Sequence, residues 1–237
     1  MGRNNYFQFK QFKIIQEKSA MKVGVDGVLL GAWVKINSTS RILDVGTGTG
    51  LIALMLAQRS EAQVTAIEIE ENAFREAVAN VDASLWQNRI KVYHTSLQQF
   101  AKSEVPKFDL IVSNPPFFNR ATPAAFAERT IARHNDLLPF SELLKSSAGL
   151  LSENGRIALI LPLEALSEIQ HWAEINELRL YRKTSIIPKT GKKENRVMLE
   201  LGKKETAFSE DCLTIYNSDG SFTEEYMLLT KNFYLKF

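Results

Sequence analysis

The stretch "LDVGTGTG", Leu43 to Gly50, decides the fold of this chain. It continues a short apolar run, "RILDV" (41–45), and leads into "GLIALMLAQRS" (50–60), where apolar residues recur at helical spacing. A strand, a glycine-rich turn and a helix in that order open a doubly wound α/β domain. Gly46, Gly48 and Gly50 let the backbone turn tightly and approach a ligand closely. The helix beginning near Thr49 points its free N–H groups at that ligand. The spacing is G-x-G-x-G, which departs from the G-x-G-x-x-G of dinucleotide sites, and the absence of Gly-Lys-Ser/Thr excludes a triphosphate loop. Asp44, just before the glycines, would crowd a pyrophosphate; it suits a cationic ligand carrying hydroxyl and amine donors.

Outward from this loop, short apolar runs alternate with helical patterns. "AQVTAIEI" (62–69), "RIKVYHT" (89–95), "FDLIVS" (108–113) and "GRIALILP" (155–162) read as buried strands. Helices are expected from Glu70 to about Ala83 and over "PFSELLKSSAGLL" (139–151), with Ser141 as N-cap. Such alternation implies a parallel sheet covered on both faces, which explains why the strands lack a polar side. The tail differs: "ELRLYRKTSIIP" (177–188), "NRVMLELGKK" (195–204) and "CLTIYNSDGSFT" (212–223) are strand-like, so the α/β core is expected to end in antiparallel strands. Residues 1–40 precede the first core strand as a lid segment, and 41–237 form the core and tail of one domain.

Composition narrows the class. With 237 residues, 45% of them hydrophobic and 24% charged, the chain has a sizeable core and is not globally disordered. No stretch approaches the roughly 20 apolar residues that span a bilayer, and the N-terminus lacks the apolar segment of a signal peptide, so a cytoplasmic protein away from membranes is expected. Cys212 is the single cysteine, which excludes an internal disulfide framework and a thiol metal cluster; it reads as a packing residue in a strand. No metal site is indicated. The net charge of +2 decides little, but residues 1–22 hold five basic side chains against Glu17, and residues 182–204 hold eight against Glu194 and Glu200. These segments fit either a polyanion partner or a solvated surface.

The strand 108–113 ends oddly, in "SNPPFF" (Ser113 to Phe118). Proline donates nothing to a sheet ladder and pushes its predecessor into extended geometry. Asn114, Pro115 and Pro116 are thereby held stiff at the strand's tip, with Phe117 behind them. Glu68, 18 residues after Gly50, ends the second strand where an acid accepts the hydroxyls of a ribose. Asp44, the glycines and Glu68 together resemble the S-adenosylmethionine site of class I methyltransferases. That resemblance implies a Rossmann-like three-layer sandwich, its seven-stranded mixed sheet in the order 3-2-1-4-5-7-6 with strand 7 antiparallel. It also implies a contact for the adenine amine after the third strand, where "HTSLQQ" offers only Thr95 and Ser96, while His94 reads as packing. "NPPF" is similar to the motif of enzymes that methylate amino nitrogens conjugated to a ring or carbonyl. Two acceptors, the Asn114 side chain and the Pro115 carbonyl, would bind the two N–H bonds, and Phe117 would stack on the flat substrate.

Motifs of this kind serve adenine, guanine N2 and the glutamine side chain, so an rRNA guanine-N2 or a protein glutamine N5 substrate remains an alternative. Glutamine enzymes carry an N-terminal helical domain, whereas only about 40 residues precede the first core strand here. "KVGVDGVLLGAW" (22–33), "ARHNDLLPFSELL" (132–144) and "FTEEYMLLTKNFYLKF" (222–237) resemble the tRNA1(Val) adenine-37 N6-methyltransferase family over nearly the whole chain. The resemblance implies an adenine substrate in the anticodon stem-loop of a tRNA; a monomer is expected. Lys22, Val23, Asp26 and Gly27 would then help to close the methionine end of the cofactor site, although Asp26-Gly27 reads equally as a simple turn. Lys189, Lys192, Lys193 and Arg196 form a basic loop suited to RNA phosphate. Arg133 and His134 either touch phosphate or, for His134, cap or pack a helix start.

Overall fold

The computed structural model describes residues 5–19, 21–36, 39–116 and 138–236. The strands are β1 (Tyr6–Gln8), β2 (Lys13–Ile15), β3 (Arg41–Val45), β4 (Gln63–Glu68), β5 (Ile90–His94), β6 (Phe108–Ser113), β7 (Leu151–Pro162), β8 (Arg179–Lys189), β9 (Arg196–Gly202) and β10 (Ser209–Tyr216). The helices are α1 (Val25–Trp33), α2 (Leu51–Arg59), α3 (Glu71–Asp82), α4 (Leu97–Phe100), α5 (Phe140–Leu150), α6 (Leu166–Ile175) and α7 (Glu224–Thr230).

The main sheet runs β10-β8-β9-β7-β6-β3-β4-β5. Seven of these strands give the expected order, with β9 the antiparallel one between β7 and β8. The difference is an eighth strand: β10 pairs with β8, and in parallel. Because β9 runs down between β7 and β8, the chain passes beneath β8 and returns upward beside it, so the tail is not wholly antiparallel. Cys212 lies on this outer strand and is exposed, which corrects its reading as a packing residue. Strand β7 starts four residues earlier than the sequence suggests, and α5 is capped by Pro139 with no side-chain bond, so Ser141 is not its cap.

Each face of the sheet has its own apolar layer. Ile42, Val64, Ala66, Leu110, Val112, Ala158 and Ile160 point to one side, against α1, α2, α7 and the β1–β2 hairpin. Their neighbours Leu43, Val45, Ile67, Ile111, Leu159 and Leu161 point to the other, against α4, α5 and α6. The period of two is present but invisible as hydropathy, since both faces are covered. Helix α1 is buried from Gly27 to Trp33, apolar all round. The hairpin buries Phe9, Phe12 and Ile14 in the same layer, where Phe9 stacks on Phe12 and on Tyr234 near the C-terminus. Among the described residues, no helix is long and apolar enough to cross a membrane.

Candidate active site

The glycine turn joins the tip of β3 to α2. Gly46 and Gly48 have φ of 69° and 58°, in the left-handed region that L side chains avoid. A Cβ added at either would meet no atom within 4 Å, so the backbone borders open space. The turn is held from inside, because Gly46 N–H and Thr47 N–H both donate to the Ile67 carbonyl at 3.0 Å. Gly50 is the N-cap of α2, which starts two residues after Thr49.

Asp44 sits beneath this turn with no exposed surface. Its Oδ2 accepts from Thr47 Oγ1 at 2.6 Å and from Ala53 N–H at 3.1 Å. Its Oδ1 is buried and has no partner among the described residues. Burial, with a smaller push from the charge of Glu68, raises its pKa to about 7 against the opposing hydrogen bonds of Thr47 and Ala53. Asp44 therefore shapes the turn from below and is half-ionised near neutrality.

Glu68 ends β4 at the rim, with 8% of its surface exposed. Oε2 accepts from Gly48 N–H at 2.8 Å, and Oε1 accepts from Ile69 N–H at 2.8 Å and Glu70 N–H at 2.9 Å. A carboxylate has about four acceptor lobes, so one remains for a hydroxyl without displacing a protein donor. Ser96 caps α4 by accepting from Gln99 N–H at 3.2 Å, and Thr95 N–H donates to the Glu68 carbonyl at 2.9 Å. His94 packs, stacking on Phe74 with ring centroids 5.1 Å apart while its Nε2 meets the Ile69 carbonyl.

Asn114, Pro115 and Pro116 leave the tip of β6 beside β3, where Ser113 Oγ donates to the Val45 carbonyl at 2.9 Å. Asn114 is half-buried, Pro115 buried and Pro116 exposed. Gly27 of α1 faces this tip: a Cβ there would lie 3.0 Å from Leu51 Cδ2 and 4.0 Å from Asn114 Nδ2. Asp26, one residue earlier, is paired with Arg196, its Oδ2 3.1 Å from the guanidinium Nε. Lys22 donates to the Gln16 carbonyl at 2.9 Å. Phe117, Arg133 and His134 lie outside the described residues.

Sequence reasoning missed the residues that hold the segment before α1 in place. Glu76 and Asn80 are buried on α3. Glu76 accepts from the backbone N–H groups of Lys18 (2.6 Å) and Ser19 (3.0 Å) and from Ser19 Oγ, bonds that hold its pKa below the usual carboxylate range against the burial that would raise it. Asn80 accepts from Ile15 N–H at 2.8 Å and donates to the carbonyls of Ile15 and Thr49, both at 2.9 Å. Gln16 Oε1 accepts from Val23 N–H at 2.7 Å. Asn80 thus ties the N-terminal segment and the glycine turn to one side chain. The only sequence signal was polar residues at i and i+4 on the apolar side of an amphipathic helix.

Similarity to known proteins agrees with this arrangement. Residues 19–162 match the family model described as methyltransferase small domain. A tRNA1(Val) (adenine(37)-N6)-methyltransferase of Trichodesmium erythraeum is 44% identical over 236 residues, covering 98% of this chain and 99% of the relative. One of Haemophilus influenzae is 42% identical over 233 residues, with 98% and 99% covered. Among solved structures, a predicted O-methyltransferase of Agrobacterium tumefaciens superposes with a TM-score of 0.69 at 19% identity, covering 88% of this chain and 96% of that one, which speaks for the fold alone. Identity above two-fifths along the full length of both chains reaches past fold to family, and the chain belongs to the tRNA1(Val) (adenine(37)-N6)-methyltransferases, built on the methyltransferase small domain.

Proposed function

We propose that this enzyme transfers a methyl group from S-adenosylmethionine to N6 of an adenine in tRNA, adenine 37 of tRNA1(Val), acting as a cytoplasmic monomer on the anticodon stem-loop. The observation that carries the reading is the rigid Asn114-Pro115-Pro116 tip beside the glycine turn, with Asn114 facing Gly27 of α1. The curated relatives at this level of identity carry the same activity in their names.

The residues present fit the cofactor. Open space beside Gly46 and Gly48, a free acceptor lobe on Glu68 and an Asp44 oxygen without a partner among the described residues suit a ligand with ribose hydroxyls and positive charge. When bound, S-adenosylmethionine supplies an electrophilic methyl on a positively charged sulfur. Glu68 would accept a ribose hydroxyl, and Ser96 or its backbone would meet the adenine. Lys22, Asp26 and Gly27, at the end of the segment held by α3, would border the methionine end, so that residues 1–40 and the core act as one domain.

On the substrate side, Asn114 Oδ1 and the Pro115 carbonyl would accept the two N–H bonds of the exocyclic amine. An aromatic amine delocalises its lone pair; holding both N–H bonds shifts the nitrogen towards tetrahedral geometry and frees that pair for in-line attack. The N–C bond forms as the S–C bond breaks, and the proton leaves the nitrogen after transfer, when it has become acidic. No strong base is required of the protein. Pro116 fixes the turn, and Phe117 is assigned the stacking face that holds the extracted base. Lys189, Lys192 and Lys193 provide phosphate contacts, and an anticodon-loop base costs less to extract than a paired one.

The test is methyl transfer from labelled S-adenosylmethionine to unmodified tRNA, followed by digestion and identification of the labelled nucleoside. N6-methyladenosine formed by the wild type and abolished by Asn114→Ala, with cofactor binding retained, is the expected result. Label on guanosine, or label entering only protein, would overturn the substrate.

A further inference from the structure

Arg196 belongs by sequence to the basic loop between β8 and β9, where it reads as one more phosphate contact. Its side chain does not extend into solvent with the lysines. Nε donates to Asp26 Oδ2 at 3.1 Å, and Nη1 donates to the Asn195 carbonyl at 3.0 Å. The loop is firmly seated on the rim: Asn195 N–H donates to the Ile186 carbonyl, the Asn195 carbonyl accepts from Leu163 N–H, and Thr190 N–H donates to the Tyr216 carbonyl. Asp26 lies in the first turn of α1, and the next residue, Gly27, is the one whose Cα faces Asn114 and Leu51. In the sheet, Arg196 pairs with Pro162 of β7, and Ser113 of β6 pairs with Leu159. Arg196 and Asn114 therefore stand at the same end of the sheet, two strand spacings apart across it and two residues offset along it, about 12 Å in all.

We propose that Arg196 and Asp26 form a latch through which the basic β8–β9 loop fixes the first turn of α1 against Asn114. Arg196 is a positioning residue, and the phosphate contacts fall to Lys189, Lys192 and Lys193. The loop that holds RNA and the helix turn that borders the target amine then share one ion pair, so the seating of the RNA and the geometry at Asn114 are set together. The latch rests on the reading of the site as an RNA adenine methyltransferase for its consequence, but its contacts belong to the free protein. The pair is half-buried on both sides, too exposed to matter much for global stability. A displacement of the order of 1 Å at a reacting group, by contrast, costs up to a hundredfold in rate.

The experiment compares Asp26→Asn, Arg196→Ala, their combination and the exchange Asp26→Arg with Arg196→Asp. Turnover is measured at saturating anticodon stem-loop, RNA affinity by fluorescence anisotropy without cofactor, and cofactor affinity by calorimetry. The expected result is that each single substitution lowers kcat by roughly tenfold or more, the combination is no worse than the poorer single, and the exchange recovers most of the loss. Asp26→Asn is isosteric and leaves RNA binding undiminished, since it releases a cation. The side-chain amide resonance of Asn114 shifts in both single variants with no substrate present. If Arg196→Ala raised only KM for RNA while Asp26→Asn kept wild-type kcat, Arg196 would be a phosphate contact and the latch would be wrong. A loss of cofactor affinity confined to Asp26→Asn, with kcat at saturating cofactor and RNA unchanged, would leave Asp26 a cofactor contact only and overturn the latch equally. If the wild type transferred no methyl to tRNA while the Asn114 resonance still shifted, the substrate reading would fail and the latch would stand.

Discussion

Replacing Asp44 by asparagine tests the electrostatics of the glycine turn most directly. The side-chain carbonyl of an asparagine can accept the same two hydrogen bonds from Thr47 and Ala53, and its amide nitrogen takes the place of Oδ1, which has no partner among the described residues. The substitution therefore mimics the protonated acid. The native pKa of about 7 lies above the unfolded reference of 3.8, so the contribution of Asp44 to stability is fully present below pH 3.8 and is lost as pH rises through about 7. Integrating this linkage, the wild type should lose roughly 2–3 kcal/mol relative to Asp44→Asn between pH 5 and pH 8. For a chain of this length that is about 5–10 °C in Tm, measured on the ligand-free protein by scanning calorimetry at both pH values. Cofactor binding should show the opposite preference: a cationic ligand favours the ionised acid, so wild-type affinity should gain close to tenfold from pH 6 to pH 8 relative to the variant. The ligand's own titration cancels in that comparison. A Tm difference that is the same at pH 5 and pH 8 would refute the idea that Asp44 titrates near neutrality.

Asn80→Ala should cost about 1–3 kcal/mol in chemical denaturation, because it strands the half-buried N–H of Ile15 and the buried carbonyl of Thr49. It should also weaken cofactor binding, which a pure core truncation elsewhere on α3 would leave intact. Gly27→Ala puts a Cβ 3.0 Å from the flexible end of Leu51 and 4.0 Å from Asn114 Nδ2. The fold should survive with its Tm within a few degrees, while kcat falls severalfold in single-turnover assays.

The parts of this protein that a reader of the sequence can see are those where residue type and local spacing carry the information. The glycine turn, Asp44, Glu68 and the Asn114–Pro116 tip are of this kind, and each stands at the strand end where its spacing puts it. Strand-helix alternation likewise made the parallel core legible, and the family resemblance supplied the order of its strands. What stayed hidden depends on pairing across the chain. Glu76 serves backbone groups 57 and 58 residues away, Asn80 serves one 65 away, and Asp26 meets Arg196 across 170 residues. Beyond the places that Glu76 and Asn80 take on the apolar side of α3, nothing local distinguishes these side chains from ordinary polar helix and loop positions. The direction of β10 is equally tertiary, being fixed by the insertion of β9 between β7 and β8. Helix α1 escaped for another reason: a helix buried all round has no polar face to supply a period. The strands β1 and β2 have three residues each, too few for any periodicity to be visible.

The two acids at the cradle divide the electrostatic work unequally, and the division has a consequence for turnover. Glu68 is surrounded by three backbone N–H donors at the rim, which spread and neutralise its charge. Asp44 is fully buried, with two donors on one oxygen and none on the other among the described residues. Ionising Asp44 is therefore costly unless positive charge arrives above the turn, so this residue is the one that senses the charge of what is bound. The methyl donor carries a positive sulfur and the spent product a neutral one, alike in every other group that the cradle meets. Asp44 should thus favour the donor, and the preference should depend on pH. At pH 8 the ratio of dissociation constants for S-adenosylhomocysteine and S-adenosylmethionine should fall severalfold in Asp44→Asn relative to wild type, and the difference between the two proteins should shrink as pH is lowered towards the point where Asp44 is protonated in the donor complex as well. Calorimetric titrations of both ligands into both proteins measure it. An unchanged ratio at pH 8 would mean that Asp44 only braces the turn, and discrimination would then have to come from shape or from the hydration of the open space beside Gly46 and Gly48.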